Sequence, residues 1–335
     1  MDIFNPMKSP EDLSILGFNV ELNSTSVSFF FGVLVGFLAL AKILRFTRNR
    51  SQTLNDTSIN LTEEFLNQTS PAMQLYINRF EDIKAYGGVK ISPDVPLRYM
   101  KECDGRLPEA RLKWKKTLEW RQKNMLDTIL QEQQPLFHII KKHSPHFWHS
   151  RDKEGRPVYY DLLGKIDVPT AVSKGVNVEN YVRHCLFCAE FLWNVIDPND
   201  NQQMIAVMDV KGLGLRSLSG FALEIFQQQS KINAAHFPGR NYKTFIVNAP
   251  SWFSLISPII LRALDSKTRE NLTVLSNDFT ELHTLISKDN IPPRYGGSSV
   301  ELGYSEEENA LRECVRRIAS TEMIAPAGMA PLAGQ

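Results

Sequence analysis

Four cysteines in 335 residues, at Cys103, Cys185, Cys188 and Cys314, are too few and too scattered for a disulfide scaffold, which leaves reduced thiols as the expectation. Net charge is nearly absent: 38 Lys and Arg against 37 Asp and Glu give +1. A chain without excess charge lacks the global signature of a nucleic-acid binder, and 43% hydrophobic residues exclude an intrinsically disordered one. Neither G-x-x-x-x-G-K-[ST] nor G-x-S-x-G occurs anywhere, so no P-loop and no elbow-borne serine nucleophile is expected. The stretch VMDVKGLGLRSL carries Gly212 and Gly214, but Ser217 stands where a dinucleotide fingerprint wants its third glycine. It reads as a strand-to-helix turn.

Long apolar runs are also scarce, with one exception. SVSFFFGVLVGFLALAKILRF, residues 26–46, has no charge between Val27 and Ala41 and is flanked on its C-terminal side by Lys42, Arg45, Arg48 and Arg50. At ~1.5 Å per residue it approaches the ~30 Å of a bilayer core, which predicts an uncleaved transmembrane helix. The basic flank keeps the large C-terminal part on the cytosolic side of an endomembrane such as the endoplasmic reticulum, with residues 1–25 as a short tail across it. Sequons at Asn49, Asn55, Asn60, Asn67 and Asn271 point the other way, but most fall in a stretch rich in Asn, Ser and Thr, where they arise by composition. Residues 47–70 are a flexible linker.

Beyond Pro71, apolar spacing of three and four in MQLYINRFEDIKAY and RLPEARLKWKKTLEWRQKNML predicts a helical module over 71–134. The pattern then changes. Short β-branched runs at 156–163, 203–210, 243–250 and 272–276 alternate with helical stretches at 179–196, 217–235 and 252–264, the pattern of an α/β domain with a mainly parallel sheet. Ser305 and Glu308 form a capping-box pattern before a last amphipathic helix, followed by an unstructured tail within 304–335.

His138, His143, His146 and His149 cluster in the sequence, but Pro145 breaks the helix that would align them, so no metal role is expected. Cys185 and Cys188 form a C-x-x-C in mid-helix among apolar residues, where buried thiols are the better reading. The helix SWFSLISPIILRALDS is apolar nearly all round through Trp252, Phe253, Leu255, Ile256, Ile259, Ile260 and Leu264. It reads either as a core helix covering the sheet or as the wall or lid of a pocket for a long apolar ligand.

Six elements in order resemble the CRAL-TRIO lipid-binding and transfer family: DKEGRPVY (152–159), MDVKG (208–212), FPGR (237–240), FIVNAP (245–250), Leu264-Asp265 and IPPRYGG (291–297). Leu97–Arg121 is similar to the helical module that precedes that domain. The resemblance implies a mixed, mostly parallel sheet flooring a hydrophobic lipid pocket within 135–303, closed by a gating helix that aligns with Ser251–Leu264. It implies binding and transfer or presentation of one hydrophobic ligand, with membrane lipids as partners, no catalytic residue and no cofactor beyond the lipid. Lys101, Arg240 and Thr268 fall where phosphatidylinositol-binding members contact the headgroup, while Gly239 replaces an acid and Asn271 a lysine. The ligand class therefore stays open between a phospholipid, a sterol-like or terpenoid molecule and a hydrophobic vitamin. A non-transferring scaffold or lipid-sensing module on an endomembrane is the alternative.

Overall fold

The computed structural model describes residues 70–213, 220–251, 253 and 269–322. The expected membrane segment 26–46 and its linker lie outside them, and no described helix is long and apolar enough to cross a membrane. The helical module opens with α1 (Pro71–Tyr86), where Ser70 caps the first turn by accepting a hydrogen bond from Met73 N at 3.1 Å. Gly87, at φ +87°, ends the helix by donating to the carbonyls of Ile83 and Lys84, a left-handed stop that favours glycine. Next come α2 (Leu97–Glu102) and α3 (Leu107–Lys123), packed through Tyr99, Cys103, Ala110 and Trp114.

The domain that follows holds a five-stranded sheet in the order β1 (His146–Arg151), β2 (Pro157–Asp161), β3 (Met204–Asp209), β4 (Asn241–Val247), β5 (Leu272–Val274). The first pair is antiparallel and the rest are parallel, giving the mixed, mostly parallel α/β sheet. Between strands lie α4 (Phe137–His143) before β1, α5 (Val168–Ser173) and α6 (Val178–Phe191) before β3, and α7 (Phe221–His236) before β4. After β5 come α8 (Thr280–Leu285) and the last helix α9 (Glu306–Glu322). Sequential parallel strands with right-handed crossovers put successive connections on one face of a sheet. On the opposite face Val158, Tyr160, Ile205, Val207, Phe245 and Val247 pack against Leu282, Ile286, Ile291 and Tyr295.

Strand β1 was not anticipated. HFWHSR lacks the β-branched residues of the others, yet His146 and His149 are buried within it. Its outer edge is covered by α9: Ser305 Oγ donates to Trp148 O at 2.6 Å, and Ser150 N donates to the Glu307 carboxylate at 3.1 Å. The Ser305 half of the expected capping box is present, with Glu308 N donating to Ser305 Oγ. The Glu308 carboxylate pairs with buried Lys141 at 2.9 Å, tying α9 to α4.

Module and domain are joined by Arg121 and Glu190, 6% and 1% exposed, whose guanidinium and carboxylate meet in two parallel hydrogen bonds of 2.7 and 2.9 Å. Burial alone would favour loss of the Arg121 proton, but the bonds and charges of Glu190 and Asp127 outweigh it and hold the guanidinium firmly charged.

Candidate functional site

Strand alternation sends Tyr159 and Asp161 of β2, Ala206 and Met208 of β3, and Thr244 and Ile246 of β4 to the face under the crossover helices. The β3 and β4 members are fully buried. At the β2 end the character changes. Tyr159, Asp161, Tyr181 and Cys185 each keep accessible surface, yet burial is the first cause raising the pKa of all four, and the charges of Asp161 and Cys185 act on both tyrosines. Asp161 is pushed up to about 7. Four polar side chains thus sit half-buried together under the crossover helices, away from bulk water. Helix α7 faces them: Gln229 Nε2 donates to Cys185 Sγ, and Phe221, Leu223 and Ile232 are only half-buried although apolar.

A polar rim lies where α2 meets the start of β4. Arg240, 7% exposed, donates to the carbonyls of Asn199 and Gln202 at 2.9 and 3.0 Å and lies 3.9 Å over the Trp193 ring. Burial first, then the neighbouring Arg98, lower its pKa to about 9. Arg98 and Arg240 share Asp200, at 2.8 and 3.6 Å. Lys101 is exposed in the last turn of α2, and it is Arg98, one turn earlier, that meets Arg240 across that carboxylate. Sequence reading passed over Arg98, although its i, i+3 spacing from Lys101 places both near one helix face. Gly239 sits at φ +69°, and a Cβ there would lie 3.4 Å from Arg98 Cβ, a backbone that disfavours the acid expected there. Asn271 lends its carbonyl to Thr244 N at 2.8 Å. Among the expected gate residues only Phe253 is described, buried with its N–H donating to Pro250 O. Trp252, Leu255, Ile256, Ile259, Ile260, Leu264 and the headgroup residue Thr268 lie outside the described residues.

The glycine turn after β3 serves the fold. Asp209 accepts from Lys211 N at 2.8 Å and from Tyr295 OH at 2.9 Å, and Gly212 takes φ +84°. Gly164 presses against the turn so closely that a Cβ there would lie 1.9 Å from Lys211 O.

The geometry agrees with what comparison finds. Residues 141–297 match the CRAL/TRIO domain. The phosphatidylinositol/phosphatidylcholine transfer protein SFH4 of Arabidopsis thaliana is 30% identical over 213 residues, which are 61% of this chain and 35% of that protein. SEC14 cytosolic factor of Yarrowia lipolytica is 27% identical over 260 residues, 71% of this chain and 49% of that one. The chain thus spans between a third and a half of these relatives' length, and their names are those of a transfer protein and a cytosolic factor, not of enzymes. The crystal structure of Sfh5 superposes with a TM-score of 0.47 at 14% identity, covering 69% of this chain and 89% of that one. The CRAL/TRIO segment takes in the sheet, α6, α7 and the Asp200 rim, and stops short of α9.

Proposed function

We propose that this chain binds one phospholipid between the CRAL/TRIO sheet and its crossover helices, and transfers or presents it at a membrane. The observation that carries this reading is the group of half-buried side chains Tyr159, Asp161, Tyr181 and Cys185 facing the half-buried apolar side of α7, within the segment that matches the CRAL/TRIO domain. Each CH₂ exposed to water costs about 0.8 kcal/mol, so an apolar enclosure lowers the barrier to moving a lipid without any catalytic group. Lys101, Arg240 and Thr268 are the proposed headgroup contacts. Arg98 joins them, because it and Arg240 outnumber their shared carboxylate and each keeps a buried Nε without a partner among the described residues. Trp252, Phe253, Leu255, Ile256, Ile259, Ile260 and Leu264 form the proposed gate. The proposed transmembrane helix at 26–46 confines the domain to the cytosolic face of one membrane, and a linker of ~24 residues gives it an r.m.s. reach of about 25–30 Å. Such a protein works locally, across a close membrane contact or by presenting lipid to another protein.

The test is native mass spectrometry of the full chain released from detergent, followed by lipid extraction and a vesicle exchange assay. A bound phospholipid that exchanges supports the reading. A chain that copurifies with none and extracts none from vesicles overturns it in favour of a scaffold.

A further inference from the structure

Two imidazoles and a thiol meet at the junction of β1 and α6. His146, His184 and Cys188 are 3%, 2% and 4% exposed, and one ligating atom from each lies within 4.8 Å of the others. The arrangement has a local cause. Positions 184 and 188 are one helical turn apart and share a face of α6, while the pleat of β1 aims His146 at that face. The Nε2 atoms of His146 and His184 are 3.1 Å apart, and Cys188 Sγ is 3.6 Å from His184 Nε2. Ligands at ~2.0–2.1 Å for nitrogen and ~2.3 Å for sulfur around a tetrahedral ion stand ~3.4 Å (N to N) and ~3.6 Å (N to S) apart. The sulfur already stands at that distance from His184 Nε2 and within 4.8 Å of the His146 ligand atom, and the two nitrogens need to open by only a few tenths of an ångström.

The protonation states suit ligation. His146 Nδ1 lies 2.8 Å from Ser144 O, a carbonyl that can only accept, so the ring carries its proton on Nδ1 and presents a lone pair at Nε2. As a purely structural cluster the arrangement is poor. If His184 donates from Nε2 to His146, its Nδ1 is a buried acceptor with no partner among the described residues.

We propose that His146 Nε2, His184 Nε2 and Cys188 Sγ form a three-ligand site for a soft d10 metal ion, copper(I) or zinc(II). Binding replaces the S–H proton by an S–metal bond and releases that proton to solvent, so no oxidant or reductant is consumed. Charge separates the two ions. A thiolate and two neutral imidazoles make copper(I) a neutral complex and zinc(II) a monocation. Next to the ammonium of Lys141, which bonds His146 O at 2.7 Å, the neutral complex is favoured, although Glu308 offsets part of the repulsion. Thiolate–imidazole donor sets select these ions over calcium or magnesium. The site borders the ligand space, with the His146 ring 6.1 Å from that of Tyr159, but its argument is independent of lipid binding.

The test is titration of the reduced, chelator-stripped full chain with copper(I) and, separately, zinc(II), each against a chromogenic competing chelator. One equivalent per chain at sub-micromolar affinity is expected, with copper(I) the tighter. One proton should be released per ion as the Cys188 S–H is replaced by the S–metal bond. Cys188→Ser and His184→Gln should each weaken binding by about 100-fold or more, while Cys185→Ser, whose sulfur faces Gln229, should leave it unchanged. X-ray absorption of the loaded wild-type chain supplies a readout independent of variant folding, and should show one sulfur at about 2.2–2.3 Å. Absence of binding tighter than about 10 µM, a proton yield of zero, or a loaded spectrum without sulfur would each reduce the cluster to a hydrogen-bonded core contact.

Discussion

Replacing Arg121 by Met leaves the Glu190 carboxylate, 1% exposed, in the interior between α3 and α6 with, among the described residues, only Asn194 Nδ2 bonded to it, at 3.0 Å. The Met stem fills the volume of the Arg stem, so packing loss is small and the charge carries the effect. Breaking a buried pair from one side costs about 3–5 kcal/mol, because the remaining charge is neither solvated nor neutralised. For a body of this size, 1 kcal/mol moves Tm by roughly 2–4 °C, so a fall of about 6–20 °C is expected. Glu190→Gln should cost less: the stranded guanidinium keeps Asp127, itself half-exposed, at 2.9 Å. The double change to Met at both positions should recover most of the loss, since it also removes the desolvation penalty of each ion. Urea midpoints of the detergent-solubilised full chain, read by tryptophan fluorescence and far-UV CD, give the three values at constant m. A loss below about 1 kcal/mol for Arg121→Met, or a double variant no better than the worse single, would refute the reasoning.

Gly164→Ala should lower stability by several kcal/mol, because its Cβ would fall 1.9 Å from a backbone carbonyl that no side-chain rotation can move; Gly105→Ala, with nothing within 4 Å, is the control for the melting experiment, and its positive φ limits its own cost to about 1–2 kcal/mol. His149 and His236 are each held at about 4 by burial, against 6.5 unfolded, so their contribution is whole above pH 6.5 and is lost as pH falls towards 4. Urea midpoints from pH 7 to 4.5 should decline in the wild type and decline less in His149→Asn/His236→Asn; parallel curves would refute the assignment. Asp161 runs the other way: held at about 7 when folded, it penalises the native state as pH rises from about 4 to 7, so Asp161→Asn should gain most at pH 8 and nothing at pH 4. Cys185→Phe should fill the space beside Tyr159 and reduce copurifying lipid while the melting temperature holds, and an unchanged lipid load would move the binding space elsewhere.

What the sequence revealed and what it hid divide along physical lines. Strands β2 to β5 and helices α1, α3, α6 and α7 were legible because a short apolar, β-branched run or a period-3.6 apolar spacing leaves its mark within a single segment. Strand β1 was not, because an edge strand whose partners are one strand, a helix and a bulge needs no β-branched alternation; Ser150, at φ +60°, marks that bulge. The Glu308 carboxylate escaped for a different reason: local capping patterns predict a local bond, and the buried ammonium 167 positions earlier won the competition. Arg121 with Glu190, Arg98 with Arg240 across Asp200, and His146 with Cys188 are all pairings that only the folded topology creates. The His184–Cys188 half of the last cluster was readable as an i, i+4 pair, but the nearer C-x-x-C drew the attention.

The single-file order of the parallel strands has a mechanical corollary. Every ladder bond from β2 to β5 joins strands that are neighbours in the chain as well as in space, so the sheet is a continuous plate whose register no helix interrupts. The crossovers from β2 to β3 and from β3 to β4 are joined to that plate through the chain only at their ends, and meet it elsewhere through side-chain packing. The spacing between helix and plate can therefore be retuned one crossover at a time, by the bulk of a few side chains such as Cys185 or Phe221, without renegotiating the register of any strand. Ligand size in such a body is an adjustable gap over a fixed bed.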